Sequence, residues 1–250
     1  MPVLGVIPAR LGSTRLPRKP LQLLGGVPLV VRVAERLRGL GCLDALVVAT
    51  EAPDIARVAE DAGFRAVLTS AAHQTGTERV AEVAARAEFT GFDLIVNIQG
   101  DEPFVPEAAV TGAIARVRGG DDVGSAATPL DPADVDDPAR VKVVLDQQGR
   151  ALYFSRAAIP HVRDAQDRLN GLYWQHIGVY ACRRDALMAW VALAPTRLEL
   201  AERLEQLRAL EHGMSFGIAR LPAPALPGID TPEDLRRAEI HWQETQGVTT

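Results

Sequence analysis

The sequence contains few cysteines and no long apolar segment. Its two cysteines, Cys42 and Cys182, are far apart and lack the spacing of metal ligands, so neither a disulfide scaffold nor a cysteine metal site is expected. No apolar run approaches the roughly 18 residues that a membrane-spanning helix needs. The N-terminal segment becomes basic too early to be a secretory signal. From these absences we predict a cytoplasmic protein that does not act at a membrane.

An excess of positive charge is also missing. Lys and Arg number 27 and Asp and Glu number 32, which gives a formal net charge of −5 at pH 7. This balance argues against a protein whose whole surface binds nucleic acid. The chain has 250 residues, of which 47% are hydrophobic and 24% are charged, an ordinary globular composition. We therefore predict an enzyme-like chain with a sizeable core, and the charge balance leaves room for a local basic pocket that binds a phosphorylated small molecule.

Short apolar runs alternate with helical patterns in the first half of the chain. The runs that predict buried strands lie at residues 3–7, 45–49, 64–68 and 94–98. Helical patterns lie between them, and two of these patterns open with a proline, Pro28 and Pro53, at a favoured first-turn position. Strands that alternate with helices are typical of βαβ units, so we predict an α/β fold with a doubly wound, mostly parallel sheet.

The pattern changes after residue 106. A helix is predicted at 107–118, and strands at 141–145 and 152–155 are predicted to form a hairpin. Further strands are predicted at 176–182 and 216–221, and further helices at 184–193, 198–212 and 230–246. We therefore expect one domain over residues 1–250, with a mixed, partly antiparallel insert at about 130–220. The Pro-rich segment 221–228 is predicted to be a loop rather than a domain boundary.

A basic segment follows the first predicted strand, at the sheet edge where open parallel sheets bind ligands. Its cationic side chains are Arg10, Arg15, Arg18 and Lys19, and its turn residues are Gly12 and Ser13. The backbone N–H groups of such a turn and the charged side chains together suit a triphosphate. The segment is neither a P-loop nor a Gly-x-Gly-x-x-Gly fingerprint, which disfavours P-loop kinases and nicotinamide dehydrogenases. A solvated basic loop is the alternative interpretation.

Acidic side chains occur in two segments of interest. Asp101 follows the clearest predicted strand and faces the same crevice as the basic segment, and magnesium prefers carboxylate and phosphate oxygens. The alternative is an acidic turn before Pro103, with Gln99 as an ordinary surface amide. In the second segment Asp230 precedes Thr231, and the local sequence favours a helix cap at one of these two residues.

Three more features have both a structural and a functional interpretation. Thr75 and Glu78 fit a capping box, and the N-terminus of a capped helix also favours nearby anions. Residues 198–208 form an amphipathic pattern that is typical of a solvated helix. Its predicted apolar stripe consists of Leu200, Leu204 and Leu207. Its predicted polar face consists of Glu199, Glu202 and Gln206. His176 is more often a satisfied core histidine than a ligand-binding one, and Tyr180 is equally ambiguous.

Eight segments, taken in order, resemble the 3-deoxy-manno-octulosonate (KDO) cytidylyltransferase family, the CMP-KDO synthetases. They are IPARLGSTRLPRKPL, HQTGTERVAEV, NIQGDEP, VKVVLD, ALYFSRAAIP, HIGVY, LELAERLEQLR and IDTPEDL. The resemblance extends from about residue 3 to about residue 237. The opening loop alone is similar to that of many sugar nucleotidyltransferases, whereas the segments around HQTGTER, YFSR and LEQLR are specific to this family. One departure is Gln175, which precedes His176 where a basic residue is common.

The resemblance implies an activity and a set of partners. An enzyme of this family transfers CMP from CTP to the anomeric hydroxyl of KDO, with Mg²⁺, and releases CMP-KDO for lipopolysaccharide synthesis and pyrophosphate. It implies a nucleotide-diphospho-sugar transferase-like fold and a homodimer that forms through the insert. Another sugar acid, such as an amino analogue of KDO, is the alternative substrate.

The resemblance also assigns roles to individual residues. The implied catalytic residues are Arg10, Lys19, Asp101 and Asp230, of which the two aspartates are the implied metal ligands. The implied nucleotide-binding residues are Ala9, Arg10, Gly12, Ser13, Arg15, Lys19, Thr75, Gly76, Thr77 and Gln99. The implied sugar-binding residues are Gln99, Arg156, His176, Tyr180, Glu205 and Gln206. For Asp230 this role replaces the local preference for a helix cap, although one residue can do both.

Overall fold

The computed structural model describes residues 1–13, 15–167 and 171–247. The chain divides into two compact units, the first comprising residues 1–93, 97–105 and 226 onward, and the second comprising residues 94–96 and 106–225. One boundary between the units falls after Ala225, inside the Pro-rich segment that we expected to be only a loop. The segment is a loop, because residues 221–231 contain no helix or strand. The interpretation of the chain as a single domain stays a prediction.

Eleven strands and eight α-helices are described, with their bounds as follows. The strands are β1 (Val3–Ala9), β2 (Leu23–Leu24), β3 (Val27–Pro28), β4 (Ala45–Thr50), β5 (Arg65–Leu68), β6 (Leu94–Ile98), β7 (Val123–Pro129), β8 (Lys142–Leu145), β9 (Ala151–Ser155), β10 (Trp174–Arg183) and β11 (Phe216–Arg220). The helices are α1 (Leu29–Arg38), α2 (Pro53–Asp61), α3 (Gly76–Ala85), α4 (Glu107–Arg118), α5 (Arg184–Ala192), α6 (Arg197–Glu202), α7 (Gln206–Glu211) and α8 (Pro232–Gly247).

The first unit contains the parallel part of the sheet. β1 pairs in parallel with β4, and β4 pairs in parallel with β5. Every residue of β1 is buried, which explains its continuous apolar sequence. α1 buries Val30, Ala34 and Leu37, the residues whose spacing predicted the helix. The prediction of a parallel α/β arrangement is confirmed here. A short hairpin of β2 and β3, which the sequence analysis did not predict, lies just before α1.

The second unit contains the mixed part of the sheet. β11 pairs in parallel with β7, whereas β10 pairs with β7 in the antiparallel direction. β8 and β9 form the antiparallel hairpin that the turn at residues 146–149 predicted. The first residues of β6, Leu94–Val96, also belong to this unit. The prediction of a partly antiparallel segment after the parallel strands is confirmed.

The predicted helix at 198–212 is wrong, because two short helices occupy this range. α6 ends at Glu202, Arg203 adopts a left-handed conformation with φ 55°, and α7 begins at Gln206. Two residues of the predicted polar face, Glu199 and Gln206, are buried. The predicted apolar stripe is interrupted as well, since Leu200 is 53% exposed while Leu204 and Leu207 are buried.

Among the residues that the structure describes, no helix is both long enough and apolar enough to span a bilayer.

Candidate active site

A cavity of about 230 Å³ lies in the first unit, where β1 and β6 end. Its lining residues are Pro8, Ala9, Arg10, Gly12, Ser13, Arg15, Lys19, Pro20, Gln99, Gly100, Asp101 and Asp230. The cavity therefore brings together the basic segment and both aspartates, including the four residues with an implied catalytic role. Pro8, Pro20 and Gly100 also line it, although the sequence analysis gave them no role.

Lys19 joins the two aspartates at the centre of this cavity. Its Nζ donates a hydrogen bond to Asp101 Oδ2 at 2.6 Å and another to Asp230 Oδ1 at 2.9 Å. Arg15 adds a second cation, with its guanidinium 3.0 Å from Asp230 Oδ2. Burial alone lowers the pKa of Lys19, but the attraction of Asp101 and of Asp230 outweighs burial, so the pKa is raised above its usual value. The lysine is therefore a permanent cation at neutral pH.

Backbone contacts bring the two aspartates together. Asp101 sits in a tight turn after β6, in which the Glu102 N–H donates to Gln99 O at 3.2 Å. Gly100 is needed in this turn, because a Cβ atom there would approach Pro8 O to 3.0 Å. The Ile229 N–H donates to Asp101 O at 2.9 Å, and this bond fixes the chain just before Asp230.

The helix cap near Asp230 is provided by its neighbour. Thr231 Oγ1 accepts a hydrogen bond from the Asp234 N–H at 3.1 Å, and Asp234 Oδ2 accepts one from the Thr231 N–H at 2.9 Å. Of the two candidates that the local sequence left open, Thr231 therefore caps α8, and the Asp230 carboxylate is directed to Lys19 and Arg15 instead.

Thr75, Gly76 and Thr77 lie behind the wall of the cavity. Thr75 and Glu78 form the predicted capping box of α3. A Cβ atom on Gly76 would lie 3.3 Å from the Gln99 side chain, so the helix packs closely against that residue. Thr77 Oγ1 accepts from Asn97 Nδ2 at 3.3 Å, and Asn97 Oδ1 accepts from Gln99 Nε2 at 3.1 Å. This chain of hydrogen bonds fixes the orientation of the Gln99 amide.

Five of the six implied sugar-binding residues belong to the second unit, and Gln99 belongs to the first. Arg156 is held by α6, because its backbone N–H donates to Glu202 Oε2 at 2.9 Å and its Nε donates to Glu202 O at 2.8 Å. Glu205 precedes α7 and Gln206 begins it. Gln175 Oε1 accepts from Arg140 at 3.0 Å, so a guanidinium lies beside the residue that departs from the usual basic type.

His176 and Tyr180 pack together in β10. Their rings are 5.3 Å apart between centroids, and the His176 ring also contacts Phe154 at 5.0 Å. Ser125 Oγ donates to Val179 O at 2.7 Å and lies 2.8 Å from His176 Nε2. Since the hydroxyl has one proton, the imidazole donates from Nε2 and keeps Nδ1 as an acceptor. Burial lowers the pKa of His176 to about 3, so the ring is neutral at pH 7.

This pKa predicts a stability that falls at acidic pH. The unfolded chain protonates His176 near its ordinary pKa of 6.5, whereas the folded chain does so only near 3, so lowering the pH favours the unfolded state. Between pH 7 and pH 5 the free energy of unfolding should fall by about 2 kcal/mol through this group. Urea unfolding of His176→Gln should lack this contribution, while His161→Gln, which changes an exposed histidine, should keep it. An equal pH dependence in all three proteins would contradict the prediction.

Two charged residues without a predicted role lie next to the basic segment or contact it through one another. Glu51, directly after β4, accepts a hydrogen bond from the Leu11 N–H at 3.1 Å. Arg79, in α3, lies 2.8 Å from the Glu51 carboxylate and is buried. Arg79 stands in the HQTGTER segment, but the sequence alone carried no signal for its partner, which is 28 positions away.

The oxygen atoms at the cavity suit a hard divalent cation. Asp101 and Asp230 offer two carboxylates close to one another, since both bond the same nitrogen atom of Lys19. Mg²⁺ is usually bound by one or two carboxylates together with water and substrate phosphates, which matches such a pair. Within the described residues, no cluster of three or more acidic, histidine or cysteine ligands is present. The chemistry of the pair therefore fits Mg²⁺ in the presence of a phosphorylated substrate.

Comparison with known proteins decides the family. The cytidylyltransferase family model matches residues 4–216. The 3-deoxy-manno-octulosonate cytidylyltransferase of Gemmatimonas aurantiaca is 54% identical over 97% of this chain and 95% of its own length. The chain belongs to the 3-deoxy-manno-octulosonate cytidylyltransferase family. A second relative of that name, from Polynucleobacter necessarius, is 46% identical over 93% of this chain and 92% of its own length.

Solved structures agree with this family. A CMP:2-keto-3-deoxy-manno-octonic acid synthetase, solved in complex with CTP, superposes with a TM-score of 0.89 at 34% identity, over 98% of this chain and 100% of that one. A 4-diphosphocytidyl-2C-methyl-D-erythritol synthase from Anaerococcus prevotii gives a TM-score of 0.61 at 13% identity, over 97% and 98% of the two chains, and shows the fold alone. The chain thus has the nucleotide-diphospho-sugar transferase fold that the resemblance implied.

Proposed function

We propose that this protein transfers CMP from CTP to the anomeric hydroxyl of KDO and releases CMP-KDO, for lipopolysaccharide synthesis, and pyrophosphate. The observation that carries the proposal is the contact of one ammonium group with two carboxylates inside a cavity lined by a Gly/Ser turn and two arginines. Such a cavity presents cations to phosphates and carboxylates to a divalent ion. The names of the relatives support CTP and KDO as the substrates.

In this proposal the basic segment holds the triphosphate. Gly12 and Ser13 offer backbone N–H groups, and Arg10, Arg15 and Lys19 offer positive charge. These cations stabilise the negative charge that develops on the departing pyrophosphate. Gln99 lines the cavity on the proposed nucleotide side, and Thr75, Gly76 and Thr77, which do not line it, are proposed to complete that side.

The transfer itself needs positioning more than covalent chemistry. The anomeric hydroxyl of KDO loses its proton to solvent and its oxygen forms a bond to the α-phosphorus, while the bond from that phosphorus to the oxygen shared with the β-phosphorus breaks in line with it. Asp101 and Asp230 would hold Mg²⁺, which when bound would lower the pKa of the attacking hydroxyl and neutralise charge on the α-phosphate. Lys19, which contacts both carboxylates, is then available to the phosphates as their counter-charge.

Residues of the second unit are proposed to bind the sugar acid, together with Gln99. They are Arg156, His176, Tyr180, Glu205 and Gln206. The Nδ1 atom of His176 suits a sugar hydroxyl, because it remains a hydrogen-bond acceptor in the neutral ring. A cytoplasmic homodimer, formed through the insert, is part of the same proposal.

The experiment that tests the proposal measures pyrophosphate release. We expect release with CTP and KDO together, its loss with a chelator and its recovery when Mg²⁺ is added back. GTP, ATP and UTP serve as controls for the base, and an amino analogue of KDO serves as the control for the sugar. Absence of turnover with CTP and KDO, despite thermal stabilisation by CTP, would instead indicate a non-catalytic nucleotide sensor.

A further inference from the structure

A buried arginine, Arg79, pairs with a partly buried glutamate, Glu51, and neither residue is among those that line the cavity. Arg79 is 3% exposed and its guanidinium NH2 atom lies 2.8 Å from Glu51 Oε2. The same guanidinium donates through NH1 to Thr69 Oγ1 and to Ser70 O. In the described part of the chain, Glu51 is the acidic side chain that balances the charge of Arg79.

The other oxygen of Glu51 reaches the basic segment itself. Glu51 Oε1 accepts the Leu11 N–H at 3.1 Å, and Leu11 O in turn accepts the Ser13 N–H at 2.8 Å. The residues on either side of Leu11, Arg10 and Gly12, line the cavity. The carboxylate therefore fixes the backbone at the middle of the turn without lining the cavity.

The hydrogen bond from the Leu11 N–H to Glu51 brings a negative charge close to a site that is proposed to bind phosphates. The negative charge of a carboxylate would repel a triphosphate that binds a few residues away. A buried guanidinium cancels that charge, and removing one partner of a buried pair leaves the other uncompensated. Arg79, in α3, contacts Glu51 Oε2, whereas the Leu11 N–H donates to the other oxygen, Oε1.

We propose that Arg79 is a positioning residue that acts through Glu51, so that the carboxylate can anchor the triphosphate-binding turn without repelling the triphosphate. The inference rests on the proposed function, since it assumes that CTP binds at this turn. It predicts that Arg79 affects the affinity for CTP and does not affect the rate of the chemical step. A merely structural ion pair would affect stability and leave that affinity unchanged in the folded protein.

The test compares CTP affinity in three variants by titration calorimetry at pH 8, with Mg²⁺ and without KDO. Arg79→Met leaves Glu51 charged and should weaken CTP binding about tenfold. Glu51→Gln keeps an oxygen for the Leu11 N–H but removes the negative charge, so it should bind CTP no more weakly than the unmodified protein. The double variant removes both charges and should regain an affinity within about twofold of the original. In steady-state kinetics the KM for CTP should rise in Arg79→Met, while the KM for KDO stays the same.

An ion pair in which both side chains are buried provides the control. Arg208 bonds Glu199 through Nε at 2.7 Å and NH2 at 2.6 Å, and both side chains are 8% exposed. Arg208→Met should lower the unfolding temperature as Arg79→Met does, yet leave CTP affinity within about twofold.

The inference is overturned if Arg79→Met binds CTP like the unmodified protein, or if the double variant is as weak as Arg79→Met. If Arg79→Met does not fold, the inference is tested with Glu51→Gln and the double variant alone. A loss of CTP affinity beyond about threefold in either variant then overturns the inference. Absence of CTP binding in the unmodified protein would instead refute the proposed function, so the two failures are distinguishable.

Discussion

Asp101→Asn should abolish pyrophosphate release, with a fall in kcat of at least about a thousandfold. The substitution keeps the shape of the side chain but removes the charge that bonds Lys19 at 2.6 Å and that is proposed to hold Mg²⁺. The tight turn that positions residue 101 is made by backbone bonds, so the fold should be unchanged. Steady-state assays of pyrophosphate release with CTP and KDO measure kcat, and circular dichroism with thermal unfolding measures whether the fold is kept.

A matched aspartate serves as the control for this variant. Asp54 also pairs with a cation of the basic segment, Arg18, at 3.2 Å, but its side chain is 53% exposed. Asp54→Asn should therefore retain a rate within about twofold, since exposed pairs contribute little. Normal turnover of Asp101→Asn at moderate Mg²⁺ would remove Asp101 from the metal role.

Lys19→Ala should reduce the rate about a hundredfold, which corresponds to about 3 kcal/mol of lost transition-state stabilisation. The ammonium is the group that both carboxylates contact, and it is proposed to stabilise the departing pyrophosphate. Its loss also leaves Asp101 and Asp230 without a shared counter-charge. We therefore expect Mg²⁺ to raise the unfolding temperature of this variant more than that of the unmodified protein.

Arg18→Ala is the comparison for Lys19→Ala, because it removes the neighbouring cation. The Arg18 side chain is 60% exposed, pairs with Asp54 and lies outside the cavity lining. Its removal should change the rate by less than about twofold. If Lys19→Ala lost less than about threefold, the basic segment would have a structural role and the phosphate assignment would be wrong.

Much of the fold could be predicted because its signals are local. The apolar run at β1 and the spaced apolar residues of α1 report burial directly, and both elements form where these patterns predict. The capping box of Thr75 and Glu78 is equally local, since its partners are three residues apart. The prediction at 198–212 failed because the periodicity of that segment is helical throughout. The break at Arg203 depends instead on residues far away in the chain, since Ser155 and Arg156 bind Glu202.

The candidate site could be predicted in part. The basic segment and Asp101 were placed at one sheet edge because parallel strands end on the same side. Asp230 was different, because the local sequence favoured a cap and only the family resemblance implied a role in the site. The structure assigns the cap to Thr231 and directs the Asp230 carboxylate to Lys19, 211 positions earlier in the chain.

The sequence by itself determined the alternation of strands and helices, the cationic character of the segment after β1 and the family of the chain. Each of these features depends on residues that are close together in the sequence. Only the tertiary structure decided that one ammonium group meets two distant carboxylates, and that Glu51 contacts both the Leu11 N–H and the Arg79 guanidinium. The physical reason is that charges separated by tens or hundreds of positions interact only after the burial of apolar strands and helices has brought their backbones together.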